Sequence, residues 1–281
     1  MKKITLKQKK WLNLVKCYDI LLLLTRKVIN IMNQKSTDNN IGKFSSFTKA
    51  KIFIVVLILI ILLPSLVVGY KIFNYKKQDE MYNNAISLKY EMKYDSAEKI
   101  FLDLGGFKDS EEQIKLIDKE YVEEFAKLAG TIYSEGLSSW IVGGSYSSTF
   151  SEYDKDSSAL FVSRFSSISA IQVEMQRIKK SINDSEKEMS TLQNVPSAYS
   201  GSYDKLMAIF NNCKSLYEII ENPMLYYYDY NSEWNKRYEN FDKSVSELTD
   251  FMKQCKNYES FNDIYQQCVK DTLEQSKITT N

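Results

Sequence analysis

From residue 81 onward the chain repeats apolar positions at three- and four-residue steps, the period of one face of a helix. Tyr82, Ala85, Leu88 and Met92 open the pattern, and Ala97, Phe101 and Leu104 continue it. Ile114, Ile117, Tyr121, Phe125 and Leu128 then mark a helix over about 110–135. Three longer seams follow. Ile168, Ile171, Met175, Ile178, Ile182, Ser185, Met189 and Leu192 form the first; Tyr203, Leu206, Phe210, Cys213, Tyr217 and Ile220 the second; Trp234, Tyr238, Phe241, Val245, Leu248, Met252 and Cys255 the third. Alternating steps of three and four are the signature of bundled helices. They predict helices near 158–193, 199–221 and 225–256, broken at Pro196 and Pro223. With the helix over 110–135, short links between them imply an up-down, antiparallel four-helix bundle. A last helix over 258–275 either packs on it or frays.

Two stretches depart from that pattern. Ile52–Tyr70, IFIVVLILIILLPSLVVGY, holds 19 residues without a charge and has no polar face. At about 1.5 Å per residue it matches a bilayer core of roughly 30 Å, and membrane helices tolerate a proline such as Pro64. LSSWIVGGSYSSTFSEYDKDSS, residues 137–158, is rich in Ser, Tyr and Gly and reads as a loop or broken helix. Within it, DKDSS lacks the Gly and Glu that a calcium loop requires, with Ala159 and Phe165 at those places.

Charge orients the apolar run. Residues 1–51 carry 12 Lys/Arg against Asp19 and Asp38, a net +10, and the remainder carries −9. The positive-inside rule places the N-terminus in the cytoplasm and the C-terminal domain outside, at the cell membrane. LVVGY offers neither the small residues of a cleavage site nor a lipid-bearing cysteine, so 52–70 reads as an uncleaved signal anchor. Residues 11–32 have two readings. One is an amphipathic helix on the inner leaflet, with Lys16, Asp19, Arg26 and Lys27 in one sector. The other is a mis-annotated extension, translation starting at Met32.

YDSAEKIFLDLGGFKDS, residues 94–110, contains adjacent glycines but no G-x-x-x-x-G-K-[ST] and no preceding strand, so it is not a phosphate loop. Asp95 with Glu98 and Ser110 with Gln113 match helix-opening capping pairs, and Gly105–Gly106 suits a left-handed helix end. Ala85 and Leu88 followed by KYDSAEKIF, with Tyr94, Ala97 and Phe101, resemble a tetratricopeptide-type helical hairpin. The following GFKDS resembles the link after such hairpins in membrane-anchored envelope proteins of low-GC Gram-positive bacteria. The resemblance covers about residues 81–118, a single unit, without the usual Trp and Gly of the first helix. Since solenoids need about three or more units, it implies a single helical hairpin docked on another element rather than a multi-repeat peptide groove.

The expected architecture is therefore all-α: a basic cytoplasmic tail (1–51), a transmembrane signal anchor (52–70), a tetratricopeptide-like hairpin (79–118) and a four-helix-bundle-like domain (119–276). Only 9 Gly and 3 Pro agree with long helices. The absence of histidine removes imidazole catalysis and His-ligated metal sites. With 33 lysines against four arginines, the composition suggests an AT-rich genome. Cys213, Cys255 and Cys268, an odd number beyond the apolar run, give no disulfide framework, although a Cys255–Cys268 bridge is compatible with the sequence. Glu120, Glu123 and Glu124 read as a solvated helix face, and no acid pair stands out as catalytic. No cofactor or metal ligand and no nucleic-acid partner is expected.

The densest aromatic run is Tyr226, Tyr227, Tyr228, Tyr230, Trp234 and Tyr238. Spacing assigns Tyr227, Tyr230, Trp234 and Tyr238 to packing, while Tyr226 and Tyr228 point elsewhere. Tyr226, Tyr228 and Tyr230 are the candidate binding residues of an aromatic patch, suited to protein contacts or to stacking on cell-wall sugars. The expected function is a single-pass membrane-anchored interaction or scaffold module at the cell envelope, whose partners are the lipid bilayer and an envelope protein or cell-wall glycan. The alternatives are a carboxylate-based cell-wall hydrolase, which calls for a concave pocket with two inward acids, and a transmembrane sensor.

Overall fold

The computed structural model describes the backbone of residues 45–275 except 168, and the side chains of 64–166, 171–272 and 274. The readings of residues 1–44 and of Ile168 lie outside the described residues, as do the side chains of 52–63 in the apolar run. Among the described residues all regular secondary structure is helical, without strands: α1 (Ser45–Tyr90), α2 (Tyr94–Leu104), α3 (Ser110–Glu152), α4 (Lys155–Ser167), α5 (Ser169–Thr191), α6 (Ser202–Glu221), α7 (Tyr230–Met252) and α8 (Tyr258–Gln275), with 3-10 turns at Ser197–Tyr199 and Pro223–Tyr226.

The chain divides into two compact units, Met1–Lys77 and Gln78–Asn281. In the first, Leu66, Val68, Ile72 and Phe73 are all exposed on α1. Among the described residues no helix is long and apolar enough to cross a membrane.

The second unit is a helical bundle built around α3. This 43-residue helix packs against α2, α5, α6, α7 and α8, most extensively against α8. The segment 137–152, expected to be a loop or broken helix, continues α3 without interruption to Glu152. The reason is tertiary. A Cβ on Gly136 would overlap the Phe241 ring, and one on Gly143 would overlap the Trp234 indole. At Gly130 it would lie 2.7 Å from the Cβ of Cys268 and 2.9 Å from the carbonyl oxygen of Tyr265. The glycines thus admit aromatic side chains and the α8 backbone close to the α3 axis, and this packing outweighs about 1 kcal/mol of helix propensity per glycine. The hydroxyls of Ser134, Thr149 and Ser151 donate to the carbonyls four residues back at 2.8, 2.9 and 3.0 Å, which satisfies them inside the helix. DKDSS is a helix start: Asp154 accepts from the Ser157 amide at 2.9 Å and its hydroxyl at 3.2 Å, opening α4.

The predicted seams are the buried faces. Ile178, Ile182, Met189 and Leu192, then Leu206, Phe210, Cys213 and Ile220, then Trp234, Phe241, Leu248 and Met252 are all buried. The helix over 258–275 packs on α3 through Phe261 and Tyr265, whose rings lie 6.0 Å from Phe125 and 5.8 Å from Tyr133. Cys213, Cys255 and Cys268 are free, so the Cys255–Cys268 bridge is not formed.

The GGFKDS corner ties α1 to α3. Gly105 is left-handed (φ 55°), and the second left-handed residue is Lys108 (φ 48°), not Gly106. That conformation brings the Lys108 ammonium to 2.5 Å from Asp79 and 4.4 Å from the centre of the Tyr82 ring. The Tyr82 hydroxyl donates to Asp109 at 2.5 Å, and Gln113 donates to the other oxygen of Asp109 at 2.9 Å. Ser110 begins the helix rather than capping it; its hydroxyl bonds the Phe107 carbonyl at 2.6 Å. Glu98 does not close a capping pair with its own helix. It accepts the Ser197 amide and hydroxyl, each at 2.7 Å, anchoring a turn 99 residues away.

Candidate functional site: the aromatic end and a buried acid

Pro223 opens a 3-10 turn whose fixed φ needs no amide donor, and the turn delivers the tyrosine run between α6 and α7. The three candidate binding residues separate there. The ring of Tyr226 turns towards α7, with the Arg237 guanidinium 5.0 Å above it and donating to its hydroxyl at 3.3 Å. Arg237 also reaches the Ser215 carbonyl at 2.7 Å and Glu218 at 3.0 Å, so Tyr226 belongs to a structural cluster at the α6–α7 junction. Tyr228 is 81% exposed and carries the Lys155 ammonium 5.3 Å from its ring centre. Tyr230, expected in the patch, is removed from it: only 1% is exposed, its ring stands edge-on to Phe150 and Tyr146 with ring centres 4.9 and 6.2 Å apart, and its hydroxyl donates to the Gly143 carbonyl at 3.2 Å. Burial pushes its phenol far above the ordinary value.

Tyr227 supports the exposed ring. It stands edge-on to both Phe150 and Tyr228, and its hydroxyl donates to the Tyr153 carbonyl at 3.2 Å. Leu225, 80% exposed, and Tyr153, 52% exposed, complete the surface. Sequence spacing did not single out either one, since both fall in connections where no period operates.

A second group was invisible in the sequence. Glu135 of α3 and Glu174 of α5 are buried, and Arg177 joins them. Its Nη1 donates to Glu135 Oε1 at 2.6 Å, while Nε and Nη2 hold Glu174 in a fork at 2.9 and 2.8 Å. Nη2 also reaches the Ser138 hydroxyl at 3.3 Å. Glu135 Oε2 has no hydrogen-bond partner among the described residues. Desolvation raises the Glu135 pKa, and Arg177 with the nearby Ser181 hydroxyl only partly offsets it. The one available signal was compositional: in a chain dominated by lysine, an arginine marks a place where forked geometry is required.

Beside this group lies an open cleft of about 320 Å³, floored by Glu135 and Arg177 and rimmed by Thr131, Lys180, Ser181 and Glu188. A larger one, about 480 Å³, lies between α5 and α6 above Ile182 and Tyr217, with the Lys179–Glu221 ion pair on its rim. Among the described residues no group of three Cys, Asp or Glu is placed to hold a metal ion. No family model matches the chain, and no curated protein or solved structure matches it either.

Proposed function

We propose that this is a single-pass membrane protein, cytoplasmic at its N-terminus, whose extracellular helical bundle binds another protein of the cell envelope. The supporting features of the anchor are the uncharged run Ile52–Tyr70, the +10 to −9 charge asymmetry across it and the exposed apolar side chains that continue along α1. In this reading residues 79–118 form one tetratricopeptide-like hairpin, and α3, α5, α6 and α7 form the antiparallel four-helix core. The observation that carries the binding role is the pair Leu225 and Tyr228, two large side chains held about four-fifths exposed on a buttressed turn. Exposed aromatics on a rigid support are the usual anchors of protein contacts.

A photo-crosslinking amino acid at Tyr228 in intact cells tests this. A captured envelope protein, absent when the probe replaces Lys115 near the start of α3, is the expected result. Capture of glycan alone, or of nothing, overturns it. Protease added to protoplasts should digest the bundle; its protection overturns the orientation.

The carboxylate-based hydrolase draws on Glu135 and Glu174, two inward acids beside a cleft. Glycosidic pairs divide the work between one protonated and one free carboxyl. Here both oxygens of Glu174 are engaged by Arg177, and freeing them means breaking a buried ion pair. That supports the interaction module over the hydrolase.

A further inference from the structure

We propose that the cleft between α3 and α5 is a binding site for the primary ammonium group of a small organic amine, with Glu135 as its anion. Two observations carry this independently of the aromatic end. The first is an unsatisfied acceptor. Glu135 is 99% buried, Arg177 engages only Oε1, and Oε2 makes no hydrogen bond of ordinary geometry among the described residues, the Ser181 hydroxyl nearby only partly compensating it. A buried carboxylate oxygen without a hydrogen bond is costly, so a ligand that donates to it gains more than it would in water.

The second is the character of the cleft. Its lining includes the hydroxyl-bearing residues Thr131, Ser181, Ser185 and Thr272, and the acids Glu135, Asp184 and Glu188 outnumber the bases Arg177 and Lys180. Arg177 attracts an anionic ligand less than its charge suggests, because Glu135, Glu174 and Ser138 take four of its five N–H donors and the two carboxylates offset its charge. An ammonium brings three donors, one for Oε2 and the others for hydroxyl oxygens. A site of about 320 Å³ suits a short aliphatic amine.

The test uses the full chain in detergent micelles, with n-butylammonium as probe and ligand-observed NMR titration as readout. Tetramethylammonium, which has the charge but no N–H, and n-butanol, which has the chain but no charge, are the controls. The expected result is saturable binding of n-butylammonium, at least tenfold weaker for each control and for Glu135→Gln. Because Glu135→Gln alters a buried ion group, Thr131→Tyr provides a second variant: it leaves the carboxylate intact and fills the mouth from the half-exposed face of α3, so it should abolish binding. Absence of binding to the wild type, equal binding of tetramethylammonium, or unchanged affinity in Thr131→Tyr overturns the proposal.

Discussion

The indole Nε1 of Trp234 lies so close to Gly143 that a Cβ there would overlap it. Trp140 stacks on the outer side of the same indole, with ring centres 5.8 Å apart.

Gly143→Ala should therefore destabilise the bundle by about 1–3 kcal/mol, since the intruding methyl forces Trp234 off its seat. Gly144→Ala should do the opposite. Its Cβ would meet Trp234 at 4.0 Å, an ordinary contact, and removing a glycine from a helix interior gains roughly 0.5–1 kcal/mol. Urea unfolding of both variants measures the contrast; equal effects would place Trp234 elsewhere.

Tyr228→Ala should leave stability within about 0.5 kcal/mol, because an 81% exposed ring contributes little to the fold, while abolishing partner capture by a photo-crosslinking residue placed at Leu225. Tyr230→Ala should cost about 3–5 kcal/mol as a buried aromatic truncation. Tyr230→Phe should cost about 1 kcal/mol, the hydrogen bond to the Gly143 carbonyl alone. Thermal melting of the three variants orders them.

At the α1–α3 corner, Asp109→Ala removes the acceptor of Tyr82 and Gln113 and should cost about 1–2 kcal/mol. The Tyr82 phenol, pushed up to about 12 chiefly by its bond to Asp109, should fall back towards 10. Difference spectroscopy at alkaline pH, with Tyr82→Phe as the blank, reads this directly.

Glu135 should give the bundle an unusual pH response. Its folded pKa is raised, chiefly by desolvation, so the folded state binds its proton more tightly than the unfolded state. Its contribution to stability grows as pH falls through the raised folded value and is complete below the ordinary 4.5. The stability of wild type relative to Glu135→Gln should thus increase on acidification from neutral pH and level off below that value. A flat difference across denaturation curves at successive pH values would show that Glu135 titrates normally.

The sequence by itself determined that the described residues are helical, which faces are buried, and the breaks at Gly105, Pro196 and Pro223. Ile178, Phe210 and Phe241 lie in the core because a 3.6-residue period sorts side chains into inside and outside without reference to any partner. Gly105, Pro196 and Pro223 end or separate elements because their backbone limits are local. Only the tertiary structure decided three things. Residues 137–152 are helical because distant rings at Phe241 and Trp234 fill the space that glycine leaves, and propensity alone points to a turn. Tyr230 is core while Tyr228 is surface because the α3 groove accepts one ring and the turn at Pro223 carries the other outward. Glu135 meets Arg177 across 42 positions, a pairing that no local pattern encodes. Periodicity records which way a side chain faces; what it faces depends on segments remote in the chain, and the chemistry of this molecule lies in those meetings.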